Sequence, residues 1–234
     1  MIRFPELETL GLVTAAFTDK SDGDCSLSTG GEAARRRACS RLGMDFEALV
    51  CGQQVHGVTV AEVDAADKGR GGSVWSEGLP DTDGLITRRA ALPLAVLAAD
   101  CVPVFLYDPE RRAGGVIHAG REGVRQGIAA AAVEAMRLRF DCRAANIHVV
   151  IGPSAGPCCY EVSPEMAAAF EALGLPTRGR MLDLWAANRA QLEGAGVPGE
   201  QVAVSGQCTI CSGAYHSYRA APETGRNIGL FMLR

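Results

Sequence analysis

The chain has 234 residues, of which 47% are hydrophobic and 21% are charged, an ordinary composition for a globular protein. Its formal net charge of -4 argues against the basic face that nucleic-acid binding usually needs, and no apolar run approaches the length of a membrane span. Nine cysteines without an export signal predict reduced thiols. We therefore expect a cytoplasmic protein with no nucleic-acid or membrane partner.

Hydrophobic periodicity and turn residues predict strands and helices that alternate along the chain. The predicted strands are 11–17, 55–63, 83–87, 92–99, 102–108, 115–118, 147–151, 201–204 and 227–233. The predicted helices are 32–42, 121–140, 164–173 and 183–195, the last two with Ser163 and Asp183 as N-caps. The glycine-rich, charged stretch 64–80 is typical of a loop. Because no linker divides the chain, we predict one mixed α/β domain over residues 1–234.

Three residues with metal-binding side chains lie at the ends of predicted strands: His56, Cys101 and His118. Two imidazoles and a thiolate form a set of three ligands, and a catalytic zinc ion keeps its fourth position open for water or substrate. Asp100 is a candidate to orient one of the imidazoles. The spacing matches no compact zinc motif, so a buried cysteine with two hydrogen-bonded histidines explains the pattern equally well.

The same residues support a second chemistry. A cysteine beside a histidine base is a nucleophile for acyl transfer, which would make Cys101 and His118 the pair of a metal-free hydrolase or deamidase. The residues alone do not choose between these two interpretations.

Three arginines are candidates for substrate binding. Arg121 and Arg125 follow the glycine-containing turn after His118, where the start of a helix suits an anion such as phosphate. Arg219 ends the segment Tyr-His-Ser-Tyr-Arg, which offers aromatic rings for a planar base and a guanidinium for an anion. A tight turn and a surface loop are the simpler explanations of these segments.

Two cysteine pairs form a further pattern. Cys158 and Cys159 are adjacent, and Cys208 and Cys211 form a C-x-x-C motif. Two pairs can make a structural zinc site. Adjacent cysteines rarely bind one metal together and the pairs lie far apart in the chain, so the sequence disfavours an all-cysteine site. It also disfavours a thioredoxin-like redox motif.

Eight motifs follow one another along the chain, at residues 54–57, 83–87, 99–104, 117–120, 152–162, 182–192, 208–211 and 225–229. Their sequences and order resemble the laccase-domain family, also called polyphenol oxidase or multicopper oxidoreductase-like. Its members are generally described as purine nucleoside phosphorylases. The resemblance covers about residues 14–233 and implies a four-layer α/β/β/α sandwich.

The resemblance also implies a function. It assigns a zinc ion and the catalytic site to His56, Cys101 and His118, and it implies phosphorolysis of adenosine, inosine and 5'-methylthioadenosine together with adenosine deamination. Purine nucleoside and phosphate are then the expected substrates, bound by Arg121, Arg125 and Arg219. Copper is a second candidate metal, but four histidines in the whole chain cannot supply a multicopper site.

The chain departs from the family pattern in two places. The family usually has Trp-Arg after His-Ala-Gly, whereas this chain has Arg121 and Glu122. Glu122 would repel phosphate unless Arg121 or Arg125 replaces the family arginine. An early polar segment is also shortened here, to residues 28–34. These two departures leave two alternatives to an active phosphorylase: an enzyme with weak or lost phosphorolysis, or a binding protein with little turnover.

Overall fold

The computed structural model describes residues 1–234 and contains thirteen strands and six α-helices. The strands are β1 (Ile2–Arg3), β2 (Val13–Phe17), β3 (Val50–Cys51), β4 (Val60–Glu62), β5 (Gly84–Thr87), β6 (Leu94–Ala98), β7 (Val102–Asp108), β8 (Ala113–Ala119), β9 (His148–Ile151), β10 (Thr177–Arg178), β11 (Met181–Leu182), β12 (Val202–Val204) and β13 (Asn227–Leu233). The helices are α1 (Pro5–Glu8), α2 (Glu32–Arg41), α3 (Arg121–Gln126), α4 (Ile128–Phe140), α5 (Pro164–Ala172) and α6 (Leu184–Gly194).

Two large sheets organise the strands. A five-stranded sheet has the order β1-β2-β13-β6-β3, and a six-stranded sheet has the order β12-β9-β7-β8-β5-β4. Most neighbours are antiparallel, while β3 with β6, β4 with β5, and β9 with β12 are parallel pairs. The strands β7, β8 and β13 are buried at every position, as their continuous apolar sequences require of strands covered on both faces.

Three apolar clusters set the order of the layers. Phe17 and Phe231 of the five-stranded sheet meet Phe105 of the six-stranded sheet in a core between the sheets, where each buried phenyl ring contributes roughly 1.5–3 kcal/mol. The next residue along β7, Val104, points to the opposite face and packs in the cluster that includes residues of α4, α5 and α6. On the other side, α2 covers the five-stranded sheet. The layers are therefore α/β/β/α, which confirms the expected mixed α/β sandwich.

Two predicted elements differ from the structure. The helix expected over 121–140 is two helices, because Gly127 between α3 and α4 has φ +92°, a left-handed conformation that ends a helix. The strand expected over 55–63 begins only at Val60. His56 lies before it in a turn with φ +62°, and the backbone there is bound to a side chain rather than to a neighbouring strand.

The remaining predicted elements match to within a few residues. Ser163 and Asp183 cap α5 and α6 as expected, since their side chains accept hydrogen bonds from the N–H groups of Met166 and Ala186. Stretch 64–80 has no strand or α-helix. None of the six helices has the length and apolar content that crossing a bilayer requires.

Candidate metal and substrate site

The structure brings His56, Cys101 and His118 together. Their ligand atoms all lie within 4.8 Å of one another, and the two imidazole rings meet edge to face with centroids 4.9 Å apart. Cys101 lies where the chain leaves β6 of one sheet for β7 of the other, and His118 is on β8. Both sheets therefore fix the site, with His118 buried and His56 exposed.

Asp83 positions both histidines. Its Oδ1 lies 2.8 Å from Nδ1 of His118, which fixes the tautomer that leaves Nε2 free for a metal. The same carboxylate accepts hydrogen bonds from the backbone N–H groups of Val55, His56 and Gly57 at 2.8–3.1 Å. Asp83 is fully buried. The sequence did not predict this orienting role of Asp83, and the only sign of it was the position of Asp83 as the first residue of motif 83–87.

Asp100 does not have the role expected of it. Its carboxylate accepts hydrogen bonds from Oγ1 of Thr209 at 2.6 Å and from the backbone N–H of Arg219 at 2.7 Å, and neither partner is an imidazole. Asp100 has φ +90°, an unusual conformation for a residue other than glycine. These bonds hold the strained turn that presents Cys101.

Gly120 leaves the space that a bound ion would need. A Cβ atom at this position would lie 2.7 Å from Cδ2 of His56, 3.2 Å from Sγ of Cys101 and 3.4 Å from Cε1 of His118. Any side chain would therefore crowd all three candidate ligands at once. Together with the carboxylate behind His118, this gap fits a metal centre made of two nitrogens and one sulfur.

The electrostatics of the three side chains favour a thiolate. Burial opposes charge on Cys101, but the two neighbouring imidazoles outweigh it and lower the pKa of this thiol to about 6. For His118, burial also opposes charge, whereas Cys101 and Asp83 raise its pKa to about 9. The thiolate is the form of cysteine that binds metals and attacks electrophiles.

A cavity of about 630 Å³ lies beside these three residues. Arg121, Tyr160 and Arg219 line it. Arg121 has a buried Nε without a hydrogen-bond partner, so one donor of its guanidinium is free. The guanidinium of Arg219 lies 5.0 Å from the centre of the Tyr160 ring and donates to the backbone oxygen of Glu161 at 2.5 Å. The cavity therefore offers guanidinium groups close to the candidate ligands.

Arg125 is not among the residues that line this cavity. Its exposed side chain forms an ion pair with Glu122 at 2.6 Å, one turn away on α3. Glu122 does line the cavity, with its side chain 42% exposed. The charge of Glu122 at the cavity is thus balanced by Arg125. Of the three arginines expected to bind substrate, Arg121 and Arg219 reach the cavity.

The geometry defines a class of protein: a two-sheet α/β sandwich with a His-Cys-His group able to bind a metal beside a large cavity. The model of the multi-copper polyphenol oxidoreductase laccase family matches residues 28–234. The chain belongs to this family.

Relatives and solved structures agree with this assignment. The chain is 37% identical over 204 residues to purine nucleoside phosphorylase YlmD of Geobacillus stearothermophilus. The match covers 82% of this chain and 74% of that protein. It is 34% identical over 206 residues to adenosine deaminase RL5 from an unknown prokaryotic organism, and the match covers 84% of this chain and 78% of that protein. The crystal structure of YlmD from Geobacillus stearothermophilus aligns with a TM-score of 0.88 at 32% identity, covering 96% of this chain and 93% of that chain.

Proposed function

We propose that this protein is a zinc-dependent purine nucleoside phosphorylase that also deaminates adenosine. The observation that carries the proposal is the convergence of His56, Cys101 and His118 beside a cavity of about 630 Å³, a size typical of sites for small molecules. The names of the relatives, purine nucleoside phosphorylase and adenosine deaminase, supply the reaction classes.

Zinc is the metal that the donor set favours in this proposal. Two imidazoles, one thiolate and an open fourth position are typical of a catalytic zinc site. Copper in a multicopper arrangement needs more histidines, and His148 and His216 are not part of the group. A zinc ion held by His56, Cys101 and His118 would supply Lewis-acid chemistry at this site. Asp83 contributes by holding His118 in the tautomer that presents Nε2.

Phosphorolysis requires the chain to hold an anion beside the ribose. We assign this task first to Arg121, because it lines the cavity and, unlike that of Arg125, its guanidinium is not held in an ion pair with Glu122. A hydrogen bond from a guanidinium to phosphate is charge-assisted, which makes it stronger than a neutral one. Arg219 is the second candidate, although part of its donor capacity is already used by Glu161.

Glu122 sets the expected balance between the two reactions. Its carboxylate lies at the cavity where a phosphate would bind, and its pairing with Arg125 weakens the repulsion without removing it. Phosphate binding is therefore weaker in this proposal than in a relative with arginine at this position. Deamination consumes water and needs no phosphate, so Glu122 does not oppose it.

A metal-free cysteine hydrolase is the second candidate, and one observation favours it. Cys101, His118 and Asp83 are connected in the order of a nucleophile, a base and an orienting carboxylate. Such an enzyme has no need of a second imidazole beside the thiolate or of the space that Gly120 leaves. These two features favour the metal site.

The proposal is tested by incubating the purified protein with adenosine, with and without phosphate. Release of adenine together with ribose 1-phosphate reports phosphorolysis, and formation of inosine reports deamination. Absence of both reactions in zinc-loaded protein would leave the third interpretation, a binding protein with little turnover.

We further propose that residues 1–234 act as one domain, since both sheets contribute to one site, and that the protein acts in the cytoplasm.

A further inference from the structure

Four cysteines that lie far apart in sequence form a second cluster. Cys158 and Cys159 follow β9, and Cys208 and Cys211 follow β12. Since β9 and β12 are parallel neighbours, the segments that follow them leave the same end of the sheet side by side. The four Sγ atoms all lie within 4.8 Å of one another, although the sequence disfavoured such a meeting.

We propose that these four cysteines bind a structural zinc ion, separate from the His-Cys-His group. Zinc bonds to sulfur at about 2.3 Å with tetrahedral geometry, which places the sulfurs roughly 3.8 Å apart. The Sγ atoms of Cys158 and Cys211 are separated by 3.8 Å. Four protein ligands fill the coordination of the ion and leave no open position, which is the arrangement of a structural site rather than a catalytic one.

The backbone explains how two adjacent cysteines can face one ion. The N–H groups of Cys159 and Tyr160 both donate to the backbone oxygen of Gly156 at 3.0 Å, so the chain turns sharply at this pair. The N–H of Gly156 in turn donates to Sγ of Cys208 at 3.3 Å. A Cβ on Gly156 would lie 2.8 Å from the ring of Trp185 and 3.1 Å from Cβ of Cys208, so glycine permits this close approach.

The charge of the site can be accommodated. Zinc binding displaces the four thiol protons and leaves a net charge of about -2 on the ion and its thiolates. Cys158 and Cys211 are exposed to solvent, which solvates part of this charge. The N–H of Gly156 donates to Sγ of the buried Cys208 at 3.3 Å, which favours negative charge on that sulfur.

The proposed ion would join the segment that leads into Tyr160, a residue of the cavity wall, to the segment 207–211. The backbone of Ser154 pairs with Gln207 at 3.2 Å and with Thr209 at 2.9 Å, beside the cluster. The Oγ1 atom of Thr209 donates to Asp100, the neighbour of Cys101. Tyr160, which lines the cavity, follows Cys159 directly. The cysteine cluster therefore positions cavity residues without touching the substrate.

Metal counting tests this proposal without using activity. The full chain is purified under reducing conditions, loaded with zinc, freed of excess ion and measured by mass spectrometry of its metal content. We expect about two zinc ions per chain, one in Cys101→Ala, one in Cys211→Ser and none in the double variant. Cys142→Ala, which removes a buried thiol outside both groups, should keep both ions.

A second measurement guards against misfolding of the serine variant. Cys211→His supplies a nitrogen ligand, so it should retain the second ion. After cobalt replaces zinc, this variant should show weaker sulfur-to-cobalt charge-transfer absorption than the parent. Cys211→Ser should also lower the melting temperature and raise the KM for nucleoside.

Three results would overturn the proposal. The first is a parent protein whose entire zinc content disappears in Cys101→Ala. The second is iron, rather than zinc, in the four-cysteine site. The third is a disulfide between Cys158 and Cys211 in protein isolated under reducing conditions. Because Cys101→Ala and Cys211→Ser are counted separately, failure of this site is distinguishable from failure of the proposed catalytic zinc.

Discussion

Asp83 and His118 form a buried pair in which Oδ1 of the carboxylate lies 2.8 Å from Nδ1 of the imidazole, so that Nε2 is the nitrogen left available to a metal. The pair matters because the metal-binding strength of an imidazole depends on the group that fixes its other nitrogen. Asp83 also accepts three N–H groups of the loop that carries His56. One carboxylate thus orders two of the three candidate ligands.

Asp83→Asn should weaken zinc binding by about 10- to 100-fold, because the amide keeps the shape of the side chain but loses the charge that orients and polarises His118. Competition with a chromophoric chelator measures the change. Asp141→Asn is a matched control, since Asp141 is exposed and paired with Arg111 at the surface. Unchanged zinc affinity in Asp83→Asn would show that the carboxylate does not support a metal ligand.

A chelator separates the two leading functions. If Cys101 is a zinc ligand, a strong chelator should abolish turnover of adenosine and added Zn²⁺ should restore it, while Cys101→Ala should lose both the ion and the activity. If Cys101 is a nucleophile, the chelator should have no effect and alkylation should block the enzyme. Alkylation alone does not decide, because modifying a ligand also disables a zinc site. Full activity in metal-free protein would exclude the zinc mechanism.

The sequence predicted Cys101 and His118 because they follow or end strongly apolar strands, and strand ends are read well from hydrophobic runs. His56 was predicted at the start of a strand that in the structure begins only at Val60. The sequence did not predict which acid would orient His118. Asp100 is adjacent to Cys101 in sequence, whereas Asp83 reaches His118 only because β5 and β8 pair with Gly84 opposite Ile117. Register between distant strands decides such contacts, and a single sequence carries little information about it.

The cysteine cluster and Arg125 both show that distance along the chain does not predict which side chains come together. Cys158 and Cys208 meet because β9 and β12 are parallel neighbours, a pairing that spacing along the chain cannot reveal. Arg125 is four residues from Arg121 in sequence, yet its neighbour Glu122 captures its side chain at the surface. The mixed α/β content follows from the apolar patterns and the α/β/β/α order was implied by the family resemblance, but side-chain partners depend on tertiary packing.

Gly120→Ala should reduce zinc affinity while leaving the fold intact. Gly120 has φ -68° and ψ 164°, a conformation that alanine adopts without strain, so the added methyl group acts mainly through its contacts. Those contacts are at 2.7 Å with His56 and 3.2 Å with Cys101, which forces at least one ligand to move. Metal content and thermal unfolding measure the two effects separately.

The control for this substitution is Gly194→Ala. Gly194 ends α6, and a Cβ there would meet nothing within 4 Å. Alanine should leave zinc content unchanged and stabilise the protein by up to about 1 kcal/mol, because it restricts the unfolded chain. Equal zinc content in both alanine variants would show that the space at Gly120 is not needed for the ion.

Arg121→Ala should raise the KM for phosphate by roughly 10- to 100-fold, the effect of losing a charge-assisted hydrogen bond of about 1.5–3 kcal/mol. Deamination of adenosine, measured without phosphate, should fall much less. Glu122→Arg should act in the opposite direction and lower the KM for phosphate, because it removes a negative charge from the cavity and adds a donor. Arg137→Ala is the control, since Arg137 does not line the cavity and its pair with Glu134 on α4 is of the same kind as the pair of Arg125 with Glu122. Vigorous phosphorolysis that is indifferent to both Arg121→Ala and Glu122→Arg would place the phosphate elsewhere in the cavity, and Arg219→Ala would then be the variant to measure.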